Sequence, residues 1–279
     1  MATSHLKARK CRLVARASIL VAALLASVFG QFCLGVCFGS PVPGGGGGAG
    51  GEEGKAAPRP QHAQAAVAQM SQMEMPEAPA DPLDWSVDEV RAASFMASAS
   101  YAGSLCAALE AGKSGEEYSV RLAAMLAHSD GARGFFVTYL TEPSLETLAD
   151  SPSGLSPLVV EALRGVDTTV ITSLAIMNVA MPTATALAHE ANGDLELAQN
   201  SARTARRGSR VLQVLANDQS TGPATRSELD ACRAAAAAWP ETAAGDTQWR
   251  PFFKRWRYGE NQLRAIGEAL DQVLGTTVS

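Results

Sequence analysis

The stretch Thr168–Ala188, "TTVITSLAIMNVAMPTATALA", carries no charge over 21 residues. It has to be hidden from water, and only the centre of a folded domain or a lipid bilayer can hide it. About 20 apolar residues suffice to span a bilayer. Yet Thr168, Thr169, Thr172, Ser173, Asn178, Thr183 and Thr185 are polar, and Pro182 removes a donor from the helical ladder. That much polarity predicts a central, kinked core helix, with a membrane span as the alternative. A core helix needs other helices around it.

Their punctuation is visible. Ser86-Val87-Asp88-Glu89 has the form of a capping box and predicts a helix to about Leu109, closed at Gly112. Ser114 with Glu117 repeats the device and predicts a helix to His128. Ser156-Pro157 starts another, because proline at the first turn gives up only an N–H that has no partner there. Thr225 with Glu228 predicts an alanine-rich helix ending before Pro240, and Gly259 precedes one from Glu260 to about Leu274. The segment "GFFVTYLT" (134–141) has strand propensity, but a lone strand has no ladder for its backbone, so it is expected as a buried helix. The expectation is an all-α chain. Residues 81–279 should form a single bundle-like domain of about seven or eight helices, long enough for one core.

The N-terminal portion has a different character. No acidic residue occurs in 1–51, where Lys7, Arg9, Lys10, Arg12 and Arg16 precede the apolar run Ala17–Phe38. Residues 1–40 therefore read as a targeting segment or anchor. The 22-residue run exceeds the about 7–15 residues of a cleaved signal yet is long enough to span a bilayer. Both fates stay open, and a retained Ala17–Phe38 would hold the chain at a membrane. A lipid-attachment motif at Cys37 is poor, because Val36 stands where a small residue is needed. Residues 41–80 are Gly, Pro, Ala and Gln, with the run Gly44–Gly48, and are expected as a disordered linker. Residues 81–279 hold 24 acidic and 16 basic side chains, which argues against nucleic acid as a partner. Cys106 and Cys232 are expected as buried free thiols, a disulfide between them being the alternative.

Polar residues concentrate in "ALAHEANGDLELAQNSARTARRGSR" (186–210). Asn192-Gly193 followed by Asp194 reads as a helix C-cap and a new N-cap, hence a helical hairpin. His189 and Glu190 are adjacent and diverge by about 100° on a helix, so they do not converge on a metal. Arg203, Arg206, Arg207 and Arg210 recur at helical spacing on one face. That is either a solvated side or a cationic stripe for phosphate, lipid headgroups or an acidic partner. In "WRPFFKRWRYG" (249–259), Arg250, Lys254 and Arg257 share a face opposite the aromatics. An interfacial membrane helix and an aromatic helix docked on the core both fit. "AALEAGKS" (107–114) meets the loose nucleotide-loop template, but a helix end rather than a strand precedes it. With no GxSxG elbow, and with only His128 and His189 in the expected folded region to serve as histidine bases, no catalytic residue, metal ligand or cofactor is indicated. If a small-ligand or catalytic site exists, His189, Asn192, Glu196 and Arg203 are its candidate polar groups.

"ARGFFVTYLT" (132–141) resembles a motif of small helical proteins of cyanobacteria and plastids. The frame 180–207 is similar to the same family at Ala180-Met181, Thr183-Ala184, His189, Asn192, Glu196, Ala198-Gln199, Ser201 and Arg203. Arg255-Trp256, Tyr258 and Arg264-Ala265-Ile266 resemble its C-terminal signature, so the likeness covers roughly 125–275. Pro182 departs from the pattern and questions the continuity of its helix. The resemblance implies a photosynthetic compartment and no activity, and on it the leader and linker resemble a two-part plastid presequence. The resulting expectation is a non-catalytic plastid protein, stromal or thylakoid-associated, that binds a protein or anionic lipid partner through its cationic faces. An enzyme or ligand carrier, and a membrane-anchored extracytoplasmic domain, are the alternatives.

Overall fold

The computed structural model describes residues 76–238 and 248–275. The expected targeting segment, the anchor Ala17–Phe38 and the linker before residue 76 lie outside them. A 3-10 turn, Pro82–Asp84, precedes eleven α-helices. They are α1 (Val87–Ala92), α2 (Phe95–Glu110), α3 (Glu116–Leu126), α4 (Ser129–Thr141), α5 (Glu146–Asp150) and α6 (Pro157–Arg164), then α7 (Thr168–Asn192), α8 (Leu195–Asn217), α9 (Gly222–Ala237), α10 (Trp249–Trp256) and α11 (Glu260–Gly275). No strand occurs among the described residues, so the all-α expectation holds, and 134–141 is helical. The helices outnumber the expected seven or eight because short ones occur where the sequence shows continuity or a loop.

The first such break falls at Ala93-Ser94. The capping box is present, with Ser86 N–H donating to Glu89 Oε2 at 2.7 Å and Glu89 N–H to Ser86 Oγ at 3.2 Å. Its helix stops at Ala92 rather than Leu109, because Asp130 reaches over from α4 and accepts the Phe95 N–H at 3.2 Å. Arg133, beside it, lies over the Phe95 ring at 4.7 Å. Two further starts are corrected. Gly115 at φ 139°, not Ser114, caps α3, and α9 begins at Gly222, three residues before Thr225, which is buried against Thr172. His128 ends no helix but caps α4. Its Nδ1 accepts the Gly131 N–H, so the ring proton sits on Nε2 and donates to the Val90 carbonyl at 3.1 Å. Residues 76–80, expected as linker, lie along α2, where the Pro76 and Pro79 carbonyls accept from Ser100 and Ser104.

At the centre stands α7, capped by Asp167, which accepts the Thr169 N–H at 2.9 Å. Thr169–Asn192 alone among the described residues is long and apolar enough to cross a bilayer, and 61% of its most apolar window is buried inside the domain. It packs most extensively on α8 and is also covered by α9 and α11. A helix apolar on all sides is what a core position requires. The helix runs unbroken through Pro182, which is buried. Pro182 has no N–H to offer the Asn178 carbonyl, and Gly208 of α8 stands against that carbonyl, since a Cβ there would lie 3.1 Å from it.

The helical hairpin is present as expected. Gly193 adopts φ 81°, its N–H donates to Glu190 O, and Asp194 N–H donates to His189 O at 2.9 Å. Asp194 occupies the N-cap position of α8 without a side-chain cap bond.

A second close crossing joins α2 and α4. A Cβ on Gly134 would meet Ala99 N and the Ser98 backbone at 2.7 Å. Gly134→Ala is therefore expected to cost roughly 1–3 kcal/mol by forcing the helices apart. Gly267→Ala, where nothing lies within 4 Å, should stabilise by up to about 1 kcal/mol through helix propensity. Urea denaturation of both variants measures the contrast, and equal effects would show the α2–α4 crossing to be looser than described. Cys106 and Cys232 are free and fully buried. Burial pushes the Cys106 thiol up to about 12, so neither should react with a thiol reagent until the domain unfolds.

Candidate functional site

Four arginines on α8 were expected on one face, and the structure divides them. Arg207 is fully buried. Its Nε and Nη2 donate to Asp150 Oδ2 at 3.1 and 2.5 Å, and its Nη1 donates to the carbonyls of Tyr139 and Glu142 at 3.1 and 2.8 Å. Nη2 also donates to Leu145 O at 3.2 Å. One guanidinium thus ties α8 to the end of α4, the following loop and the end of α5. Arg207 is no part of an exposed stripe.

The helix it holds could not stand alone. α5 has five residues, well short of what an isolated helix needs, and it is clamped at both ends. Glu110 of α2 accepts the N–H groups of Thr147 and Leu148 at 2.8 and 2.7 Å. At the other end Arg210 donates to Ala149 O at 2.7 Å and to Ser151 O. Carboxylate at the N-terminus and guanidinium at the C-terminus match the orphan groups and the dipole of a helix. Burial pushes the Asp150 carboxyl upward, but the hydrogen bonds and charge of Arg207, with Arg206 beside it, outweigh that and leave it below the ordinary carboxylate range.

Arg206 is 60% exposed and reaches only Asp150 Oδ1, at 3.5 Å. Arg203 donates to Asn200 Oδ1 at 2.8 Å, and its Nε is buried with no hydrogen-bond partner among the described residues. Burial lowers the Arg203 pKa, and the charges of Arg207 and Arg206 lower it further. Of the four guanidiniums, Arg206 and Arg207 share Asp150, whereas Arg203 and Arg210 hydrogen-bond to uncharged oxygens. The locality stays positive.

Beside this cluster runs a solvent-open groove of about 750 Å³ between α7, α8 and α11. The α8 wall presents Arg206, Ser209, Arg210 and Gln213 in helical register, while α7 and α11 contribute mainly Ala186, Leu187, Ala265 and Ala269. Both charged groups lie on the α8 edge, and the facing walls are mainly small and apolar, with Thr183 and Gln272 as their polar exceptions. A groove so divided can hold a molecule that is anionic at one side and apolar along its length.

The other candidates lie elsewhere. Trp249, Phe252 and Phe253 are buried, with ring centroids 5.7 Å apart in each neighbouring pair, so the aromatic face of α10 docks on the core. Lys254 and Arg257 are exposed and Arg250 is half-buried, with no ion-pair partner among the described residues, and none of the three borders the groove. Arg257 takes a left-handed backbone at φ 52° to end the helix. His189 is half-buried at the end of α7, while Asn192 and Glu196 are exposed at the hairpin. No hydrogen bond or ion pair among the described residues links them to one another or to Arg203. No group of three or more His, Cys, Asp or Glu positioned for a metal occurs among the described residues. Lys113 of the nucleotide-loop look-alike follows the end of α2 and is exposed. Sequence reasoning missed Asp150 and the small residues of α11, since neither carries a local signal.

The described residues thus define an all-helical domain around one long helix that carries no charge over Thr168–Ala188, with an arginine-edged groove on its flank. The chain belongs to the family described as "Uncharacterised conserved protein UCP020893", whose model matches residues 94–273 and so spans the clamp and the groove. No curated protein and no solved structure matches it.

Breaking a buried ion pair costs about 3–5 kcal/mol, so Arg207→Ala should unfold or nearly unfold the domain. Arg207→Lys should not rescue it, because an ammonium cannot reproduce the fork. Arg206→Ala, one residue away, should change stability by less than about 1 kcal/mol. Thermal melts decide, and equal effects would refute the division. The carboxyls of Asp150 and Asp218 are held low, the latter at about 2 by hydrogen bonds from Ser220 and Thr221. The stabilisation from Asp218 is complete above the ordinary value of 3.8 and is lost as pH falls through about 2, and that from Asp150 is lost as pH falls below the ordinary carboxylate range. Melting temperature should drop over that window, and less steeply in Asp218→Asn.

Proposed function

We propose that this domain is a non-catalytic binding module that receives an anionic partner in the groove between α7, α8 and α11. The observation carrying the reading is the exposed Arg206 guanidinium, which stands at the groove with only a shared, 3.5 Å claim on Asp150. An incoming carboxylate or phosphate offers it a bidentate partner that the fold does not. The charge of Arg210, which hydrogen-bonds only to backbone carbonyls at the same groove, draws an anion to the same place. The α10 cations Arg250, Lys254 and Arg257 serve as a secondary steering surface.

We place this activity in a plastid, in the stroma or against the thylakoid. That placement rests on the likeness of 132–141 and 180–207 to proteins of cyanobacteria and plastids and on the basic, apolar and acid-poor N-terminal portion. The test is direct titration of the purified domain with an anionic naphthalene sulfonate dye at two salt concentrations. Saturable binding that weakens at least tenfold in Arg206→Glu, but not in Lys254→Glu, is the expected result. Equal binding by wild type and Arg206→Glu would overturn the reading.

A further inference from the structure

We infer that the natural occupant of the groove is a single-chain anionic amphiphile, an acyl chain bearing one carboxylate or phosphate, held as an individual molecule. The inference rests on the proposed binding role and names its ligand class. Three observations carry it.

First, the size of the groove is that of a small-ligand site. About 750 Å³ lies within the roughly 300–1,000 Å³ of small-ligand sites.

Second, polarity is sorted along the groove. The charged groups, Arg206 and Arg210, are confined to the α8 wall, and small apolar side chains with Leu187 dominate the facing walls of α7 and α11, interrupted by Thr183 and Gln272. A compact polar ligand would leave the alanine walls wet, and a neutral hydrocarbon would strip water from the guanidiniums without replacing their hydrogen bonds. A chain with a charged head satisfies both. The head pairs with Arg206, whose carboxylate neighbour is already committed through Oδ2 to Arg207. The tail lies over Ala186, Ala265 and Ala269.

Third, no exposed large hydrophobic among the described residues borders the groove; those exposed are Val120, Val170, Leu195 and Leu197. Without an apolar rim to insert, the domain takes its ligand out of water or off a surface rather than burying itself in lipid.

Native mass spectrometry of the full chain with oleate, with lysophosphatidate and with methyl oleate tests this, beside flotation on vesicles rich in anionic phosphatidylglycerol. One equivalent of oleate or lysophosphatidate should be retained, and methyl oleate should not. Which acid is retained at the lower concentration identifies the head as carboxylate or phosphate. Arg206→Glu should weaken retention at least tenfold. Ala269→Leu, which fills the tail channel without changing charge, should do likewise while melting as wild type does. Retention of both acids unchanged in Ala269→Leu would overturn the inference, because the tail would then lie elsewhere. Vesicle binding or sulfonate-dye binding without retention of either acid would also overturn it, while leaving the anion-binding reading intact. Failure of every anionic probe would remove both.

Discussion

The contact between Arg207 and Asp150 organises the rest of this fold. A guanidinium with no exposed surface is tolerable only if every donor direction is used, since an unpaired buried charge costs several kcal/mol. Arg207 meets that demand by collecting three backbone carbonyls and one carboxylate from 139–150. In doing so it gives the short helix α5 a C-terminal partner and locks α8 against α4. Glu110 completes the clamp from the opposite end. The burial of one charge therefore fixes the position of a whole helix wall.

That wall determines what the neighbouring arginines can do. Asp150 has two oxygens, and Arg207 takes one of them with two bonds. Arg206 is left with a long contact to the other oxygen, and Arg210 with carbonyls that hold it in place but carry no charge. The result is a positive groove edge whose side chains are positioned but not neutralised. Small residues make the opposite wall possible. Ala186 on α7 and Ala265 and Ala269 on α11 leave space where larger side chains would fill the gap. The close seat of Gly208 against Asn178 O, where Pro182 supplies no donor, brings α8 down onto α7 beside that space.

Much of the architecture could be read before the structure was seen. The uncharged run 168–188 marked the central helix, Asn192-Gly193 marked the hairpin, and the aromatic segment 134–141 was assignable to helix because no strand could pair with it. What failed were boundaries decided by distant residues. The break between α1 and α2 depends on Asp130, 35 residues from the Phe95 N–H it caps, and no glycine or proline announces it. The four arginines of α8 have identical chemistry and regular spacing, so sequence put them on one face. Only Asp150, 57 residues away from Arg207, separates the buried anchor from the exposed Arg206. A groove walled by alanines leaves no motif at all, since the same residues would fill any helix interface.

The most direct measurement is side-chain NMR of ¹⁵N-arginine-labelled protein, following each Nε–H before and after addition of dodecyl phosphate. The account predicts a slowly exchanging Arg207 signal that the ligand leaves in place, and an Arg206 signal that exchanges fast when free and shifts on binding. An Arg207 signal that exchanges as rapidly as Arg206, or a ligand that shifts Arg250 and Arg257 while leaving Arg206 unmoved, would contradict it.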